Sequence, residues 1–192
     1  MMLLRRPSVE FVAKYLRSQQ AAPLSYDFVG ASQSIPDCST PSDFVLDRRR
    51  EQIGSGEAAW QRAKQAVQQW VMFQNGWTEL HAPAGPPRIG NVVAMQTWLG
   101  GFWWLNPCRV LYEIDEDRRF GFGYGTLLDH VERGEERFLV ERDADGRVWY
   151  DLASFSRPRH ILLRLCYPLT RRVQLRFGVD SMRVMRSFVE TA

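Results

Sequence analysis

A chain of 192 residues, 45% hydrophobic and 24% charged, is long enough to bury a real core and has the usual size of one domain. Its 25 basic and 22 acidic residues give a net charge of only +3, which is too even to argue for nucleic acid or another anionic partner. Cys38, Cys108 and Cys166 are odd in number, widely spaced and without a CxxC pair. They exclude a disulfide framework or zinc ribbon and read as reduced thiols of a cytoplasmic protein.

The chain opens MMLLRR, four apolar residues before Arg5, where a secretory signal needs a core of roughly 7 to 15. Secretion is not expected. Residues 8–19 carry Ser8 as a helix N-cap and apolar side chains at 9, 12, 13 and 16, the spacing of a short amphipathic helix. Residues 21–50, with Pro23, Pro36 and Pro41 among many Ser, Thr and Asp, show no period and read as an ordered loop. The run IGSGEAAWQRAKQAVQQW then turns helical, with Ser55 as N-cap, Glu57 in the first turn, and Trp60, Ala63, Val67 and Trp70 on one face. The Gly54-Ser55-Gly56 entry lacks the Lys and Thr of a phosphate loop and is read as capping.

From Trp77 to Pro158 apolar, aromatic and β-branched runs alternate with turn signals at Gly100-Gly101, Asp115 to Asp117 and Asp145-Gly146. Spacing this close leaves no room for crossovers, so the sheet is an antiparallel meander. The longest apolar stretch, Thr97 to Leu105, is less than half the roughly 20 residues that span a bilayer, so no transmembrane segment is expected. After Arg159 the pattern is helical through Leu165, Leu169, Val173, Phe177, Val184 and Phe188, with Pro168 as a break or kink. Arg164, Arg171, Arg172, Arg176, Arg183 and Arg186 interrupt that stripe. Residues 111–156 hold twelve acidic against six basic residues and residues 157–192 eight basic against two acidic, so the two regions should attract. The fold class is α+β: a curved antiparallel sheet packed against a long C-terminal helix. Residues 1–192 form a single domain, divided into an N-terminal helix and irregular segment (1–50) and a helix, sheet and C-terminal helix (51–192).

In FGFGYGTL, period two puts Gly121, Gly123 and Gly125 on one strand face and Phe120, Phe122 and Tyr124 on the other. The bare face admits close approach of a helix or ligand and permits strong curvature. HVERGEER gathers His130, Glu135 and Glu136, the best general acid/base groups in the chain. Adjacent Glu135 and Glu136 point to opposite faces, so only one looks inward, where Arg109 or Arg157 would pair with it. The catalytic candidates are thus Glu135, Glu136, His130 and Tyr124. The candidate ligand-binding residues are Trp98, Trp103, Phe122 and Tyr124, with Arg109 and Arg157. Cys108 reads as a buried thiol with no histidine placed to activate it. The three histidines lack metal-ligand spacing, and neither a metal nor a cofactor is expected.

YDFVGAS, IGSGEAAW, NPCRV, FGYGTL, GEERF, VWYDLASFSRP and Gln174 resemble the ordered blocks of an uncharacterised domain-of-unknown-function family, over residues 24–188. Where that family has Pro-Gly-His after YGTL, this chain reads Leu128-Asp129-His130. The element order is also similar to the helix-grip fold of Bet v 1 and START-like proteins, except that one strong helix replaces a pair after a first strand. The aromatic-rich, glycine-relieved sheet with few polar groups points to a binding module whose apolar cavity, between sheet and C-terminal helix, takes an apolar or aromatic small molecule or lipid. The alternatives are a small lyase, isomerase or hydrolase working through a cavity carboxylate, and a protein-interaction or nucleic-acid module using the basic C-terminal helix. Nucleic acid is not the expected partner.

Overall fold

The computed structural model describes residues 1–35, 43–161 and 165–191. Cys38 and Arg164 lie outside them. Along the chain run β1 (Met2–Leu3), α1 (Val9–Ser18), β2 (Val45–Ser55), α2 (Gly56–Gln68), β3 (Thr78–His81), β4 (Val92–Leu99), β5 (Phe102–Asp115), β6 (Arg119–Thr126), β7 (Glu132–Arg142), β8 (Arg147–Pro158) and α3 (Tyr167–Thr191). The strands form one curled antiparallel sheet in the order β2-β8-β7-β6-β5-β4-β3, with β1 paired to β5. Two helices, α2 and α3, lie across its concave face.

The meander forms where period-two runs meet turn residues. Gly100 and Gly101 close β4 onto β5 with φ of 62° and 84°, and Gly146 closes β7 onto β8 at φ 79°, all in a region that side chains disfavour. The Asp143 carboxylate accepts the Asp145 and Arg147 amides at 3.0 and 2.9 Å and fixes the second turn. Ser55 occupies the N-cap of α2, yet its side chain makes no capping bond there. The Gly56 amide instead donates to the Gly146 carbonyl at 2.8 Å, so this helix entry is committed to the fold.

Several expectations change. Residues 45–50, read as loop, belong to β2, which pairs along its length with β8 and supplies the first strand that seemed missing. The α3 stripe is wider than the expected one: Val184 and Phe188 pack against the core as expected, and small and sulfur-bearing residues join them. Phe177, Gly178, Ser181, Met182, Met185 and Val189 are buried, while Leu165 and Leu169 are exposed. Pro168 sits in the first turn of α3 and so starts that helix, where its missing N–H has no intrahelical partner to lose. The expected attraction between residues 111–156 and α3 is also redirected. Arg171 pairs with Asp47 and Arg186 with Glu51, both on β2, while Arg176 and Arg183 share Asp180.

The main core lies between the concave face and the helices. Phe122 and Phe138 stack at 5.0 Å, Trp70 meets Phe122 at 4.9 Å, and Phe73 bridges Phe138 and Phe177 at 5.3 and 5.7 Å. After α2 the chain turns at Trp70, whose φ is 56°, into a single 3-10 turn over Val71–Phe73. The convex face is covered by α1 and by the segment from Leu24 to Ile35. There the glycine strip finds its partner. A Cβ on Gly123 would lie 2.1 Å from the Tyr112 ring and one on Gly125 2.1 Å from the Tyr26 hydroxyl, so tyrosines fill the space expected for a helix or ligand.

Candidate functional site

A cavity of about 650 Å³ opens between the concave face and the first turns of α3. Trp77, Met95, Phe102, Trp104, Val173 and Phe177 give it apolar walls, and Asn106, Tyr124, Glu132 and Glu136 give it a polar end. Alternation along β7 places Glu132, Gly134 and Glu136 on the inner side. Gly134, at φ 144°, lets the strand pass β8 where any Cβ would lie 1.8 Å from the Phe155 carbonyl oxygen. The Thr126 hydroxyl holds this point, accepting from the Gly134 amide at 3.0 Å.

The inner carboxyls are the chemistry of the site. The Tyr124 hydroxyl donates to Glu136 Oε2 at 2.8 Å, across the β6–β7 register that sets these residues opposite each other. Burial pushes the Glu136 carboxyl up to about 7, against the hydrogen bond from Tyr124 and with help from the negative charges of Glu132 and Asp47. Glu132 is likewise pushed up to about 7 by burial, offset in part by the hydrogen bond from Gln174 and by Arg171. Burial also raises the Tyr124 phenol well above its ordinary value. A polar relay carries Glu132 onto α3. Gln174 Nε2 donates to Glu132 at 2.5 Å, Arg171 donates to Gln174 at 2.6 Å, and both Arg171 amino groups reach Asp47 at 2.7 and 2.8 Å.

Of the residues the sequence suggested, Tyr124, Glu136 and His130 line the cavity. His130 serves the backbone: its Nδ1 accepts the Glu132 amide at 2.9 Å, and burial lowers the imidazole to about 3, so the ring is neutral. The Glu135 carboxylate faces the convex side. It is locked there by the Tyr26 hydroxyl at 2.8 Å, the Gly30 and Ser32 amides at 2.5 and 3.0 Å, and the Ser32 hydroxyl at 2.7 Å. Phe122 is in the core beneath the cavity, stacked on Phe138. Trp98 is 59% exposed at the sheet edge, and Trp103 lies under the Arg6 guanidinium, so neither reaches the cavity. The expected pairing of an inner carboxylate with Arg109 or Arg157 is not found. Arg109 donates to the Gln19 and Gln20 carbonyls at 3.2 and 2.8 Å, and Arg157 pairs with Asp43. Cys108 is buried, with its thiol pushed well up by burial.

Sequence reasoning missed Glu132 and Asn106. The rule that separates Glu135 from Glu136 also unites Glu136 with Glu132, so that signal was present in HVERGEER. Asn106 in NPCRV follows Leu105 in the middle of a strand, where nothing local marks it as a cavity residue. Among the described residues no group of three His, Cys, Asp or Glu side chains is placed to hold a metal ion.

The curled sheet gripping a C-terminal helix is the helix-grip fold. Solved structures share this fold. A hypothetical protein of Helicobacter pylori matches with a TM-score of 0.57 at 10% identity, covering 77% of this chain and 88% of that one. An aromatase/cyclase of Streptomyces sp. R1128 matches at 0.55 and 12%, covering 77% and 94%, and ginseng major latex-like protein 151 at 0.52 and 12%, covering 77% and 99%. Within that class the chain belongs to the family described as domain of unknown function DUF1990, which matches residues 25–184. A UPF0548 protein of Deinococcus radiodurans is 43% identical over 92% of each chain, and one of Dictyostelium discoideum 34% identical over 96% of this chain and 94% of its own.

Proposed function

We propose that the protein is a binding module for a small, largely apolar molecule that enters between the sheet and α3 and sets its polar group against Glu132, Glu136 and Tyr124. The observation that carries this reading is the cavity itself, with Trp77, Phe102, Trp104 and Phe177 among its walls and the Tyr124, Glu132 and Glu136 groups facing into it. The basic-helix alternative draws little support, because Arg171 and Arg186 are tied to β2 and Arg176 and Arg183 to Asp180. Native mass spectrometry of the purified protein, with a screen of fatty acids, isoprenoids and aromatic polyketide-like compounds, tests the proposal. A bound species displaced by a Val173→Trp substitution supports it. Failure of every class to bind the folded protein overturns it.

One observation favours a second reading, an acid/base enzyme. Glu136 titrates near neutrality and hydrogen-bonds a phenol in the same cavity, which is the arrangement of a proton-transfer pair. If it is an enzyme, Glu136→Gln retains ligand binding and abolishes turnover of that ligand. A cavity ligand recovered chemically unchanged after prolonged incubation counts against this reading.

A further inference from the structure

The polar end of the cavity is built of acceptors. Gln174 occupies Oε1 of Glu132 and Tyr124 occupies Oε2 of Glu136, while the other oxygen of each carboxyl accepts no hydrogen bond among the described residues. Neither carboxyl has a salt bridge there. Asn106, on the neighbouring part of the same concave face, is 6% exposed, and its Oδ1 is buried without a partner. That amide oxygen is itself sealed off, so of these acceptors the partly exposed carboxyls of Glu132 and Glu136 are the ones a bound molecule can meet.

The charges around Glu136 have one sign. Glu132 and Asp47 act on it, both negative, while Tyr124, Tyr150 and Cys108 stay neutral because burial raises each of them. From α3, Arg171 faces Glu132 and is held by both oxygens of Asp47. From β2, Arg49 packs against α3, where a Cβ on Gly178 would stand 2.9 Å from its Nε. The cavity lining also holds Arg48, which pairs with Asp151, and Arg49, yet among the described residues no salt bridge reaches Glu132 or Glu136.

We infer that the ligand class is an apolar amine, whose ammonium group donates to Glu132 and Glu136 while its apolar body lies against Trp77, Trp104 and Phe177. An ammonium presents three donors and no acceptor, and aromatic walls add cation–π attraction. An alcohol brings one donor, and a carboxylate would meet like charge. The inference rests on the cavity reading above and adds the identity of the polar group.

Calorimetric titration of the intact protein with octylamine, octan-1-ol and octanoate near pH 7 tests it. Octylamine is expected to bind at least about tenfold more tightly than octan-1-ol, as charge-assisted hydrogen bonds outweigh neutral ones, and octanoate most weakly. Both carboxyls are near 7 in the free protein, so the ammonium should expel protons from them below that pH. Octylamine affinity then rises from pH 5.5 to 7.5, with proton release measurable in two buffers of different ionisation enthalpy, while octan-1-ol affinity stays flat. Glu136→Gln and Glu132→Gln, each checked for native circular dichroism, weaken octylamine and spare octan-1-ol. If octan-1-ol or octanoate binds as well as octylamine, the amine assignment falls and the cavity reading stands. If none of the three binds, both fall.

Discussion

The carboxyl groups of Glu135 and Glu136 are neighbours in sequence and face different media. Glu135 accepts four hydrogen bonds from the segment that wraps the convex face, so it works as a staple between that segment and β7. Glu136 has one donor and faces a cavity, where burial favours its protonated form. Its folded value of about 7 lies above the ordinary 4.5, so the folded state binds the proton more tightly than the unfolded chain. The stabilisation is complete below the unfolded value and is lost as pH rises through the folded one. Stability should therefore fall between pH 5 and 8. Glu136→Gln, which cannot ionise, should flatten that fall by on the order of 2 kcal/mol. Urea denaturation across the range measures it, and parallel curves for the two proteins would show that Glu136 ionises without cost.

At the scale of elements, the sequence was legible where hydrophobic period and turn chemistry agreed. α2 shows its buried face as Trp60, Ala63 and Val67, and β4 to β8 are punctuated by glycine or aspartate turns. β2 was not legible because its inner side carries Asp47, Arg49 and Glu51 between Val45 and Ile53 while Arg48 and Arg50 lie on the other side, so neither face shows an apolar alternation. Asp47 and Glu51 face inward to meet α3, through Arg171 and Arg186, a pairing no local pattern announces. The width of the α3 stripe is hidden for a related reason: Gly178 and Ser181 are buried beside the expected Phe177, and small residues do not look like a stripe. In the cavity, Tyr124 and Glu136 were each legible as polar groups of alternating strands, whereas their pairing across β6 and β7, and the place of Asn106, depend on three-dimensional closure. The docking of α3 is decided by apolar burial. Phe177 is buried against Phe73, so Phe177→Ala should cost roughly 3 to 5 kcal/mol. Arg183 holds Asp180 in the open, and Arg183→Ala should change stability by less than about 1 kcal/mol. Chemical denaturation of both variants compares them. A larger loss for the arginine would mean that charge, and not packing, seats the helix.

For the whole molecule, α3 is held in two ways along its length. Its later turns sink Met182, Met185 and Val189 into the core beside α2, and Arg62 anchors the end through the Val189 carbonyl at 2.7 Å. Its first turns lie over the cavity and are tied by the relay of Asp47, Arg171, Gln174 and Glu132, with Leu169 exposed. A fold with one packed end and one polar end should open at the polar end, because local opening there breaks few apolar contacts. Residues 167–174 should then exchange amide hydrogens faster than residues 181–189. Arg171→Ala removes the bidentate tie to Asp47 and leaves the packed turns untouched, so it should speed exchange in 167–174 by roughly tenfold while 181–189 keep the parent rate, as expected for a loss of about 1.4 kcal/mol confined to one opening unit. Filling the cavity should slow 167–174 in the parent, since a molecule beneath these turns adds contacts that opening must break. Peptide-resolved hydrogen exchange reads both effects. Equal acceleration along the whole of α3 would show that the helix opens as one unit, and that its first turns are not a separate mouth to the cavity.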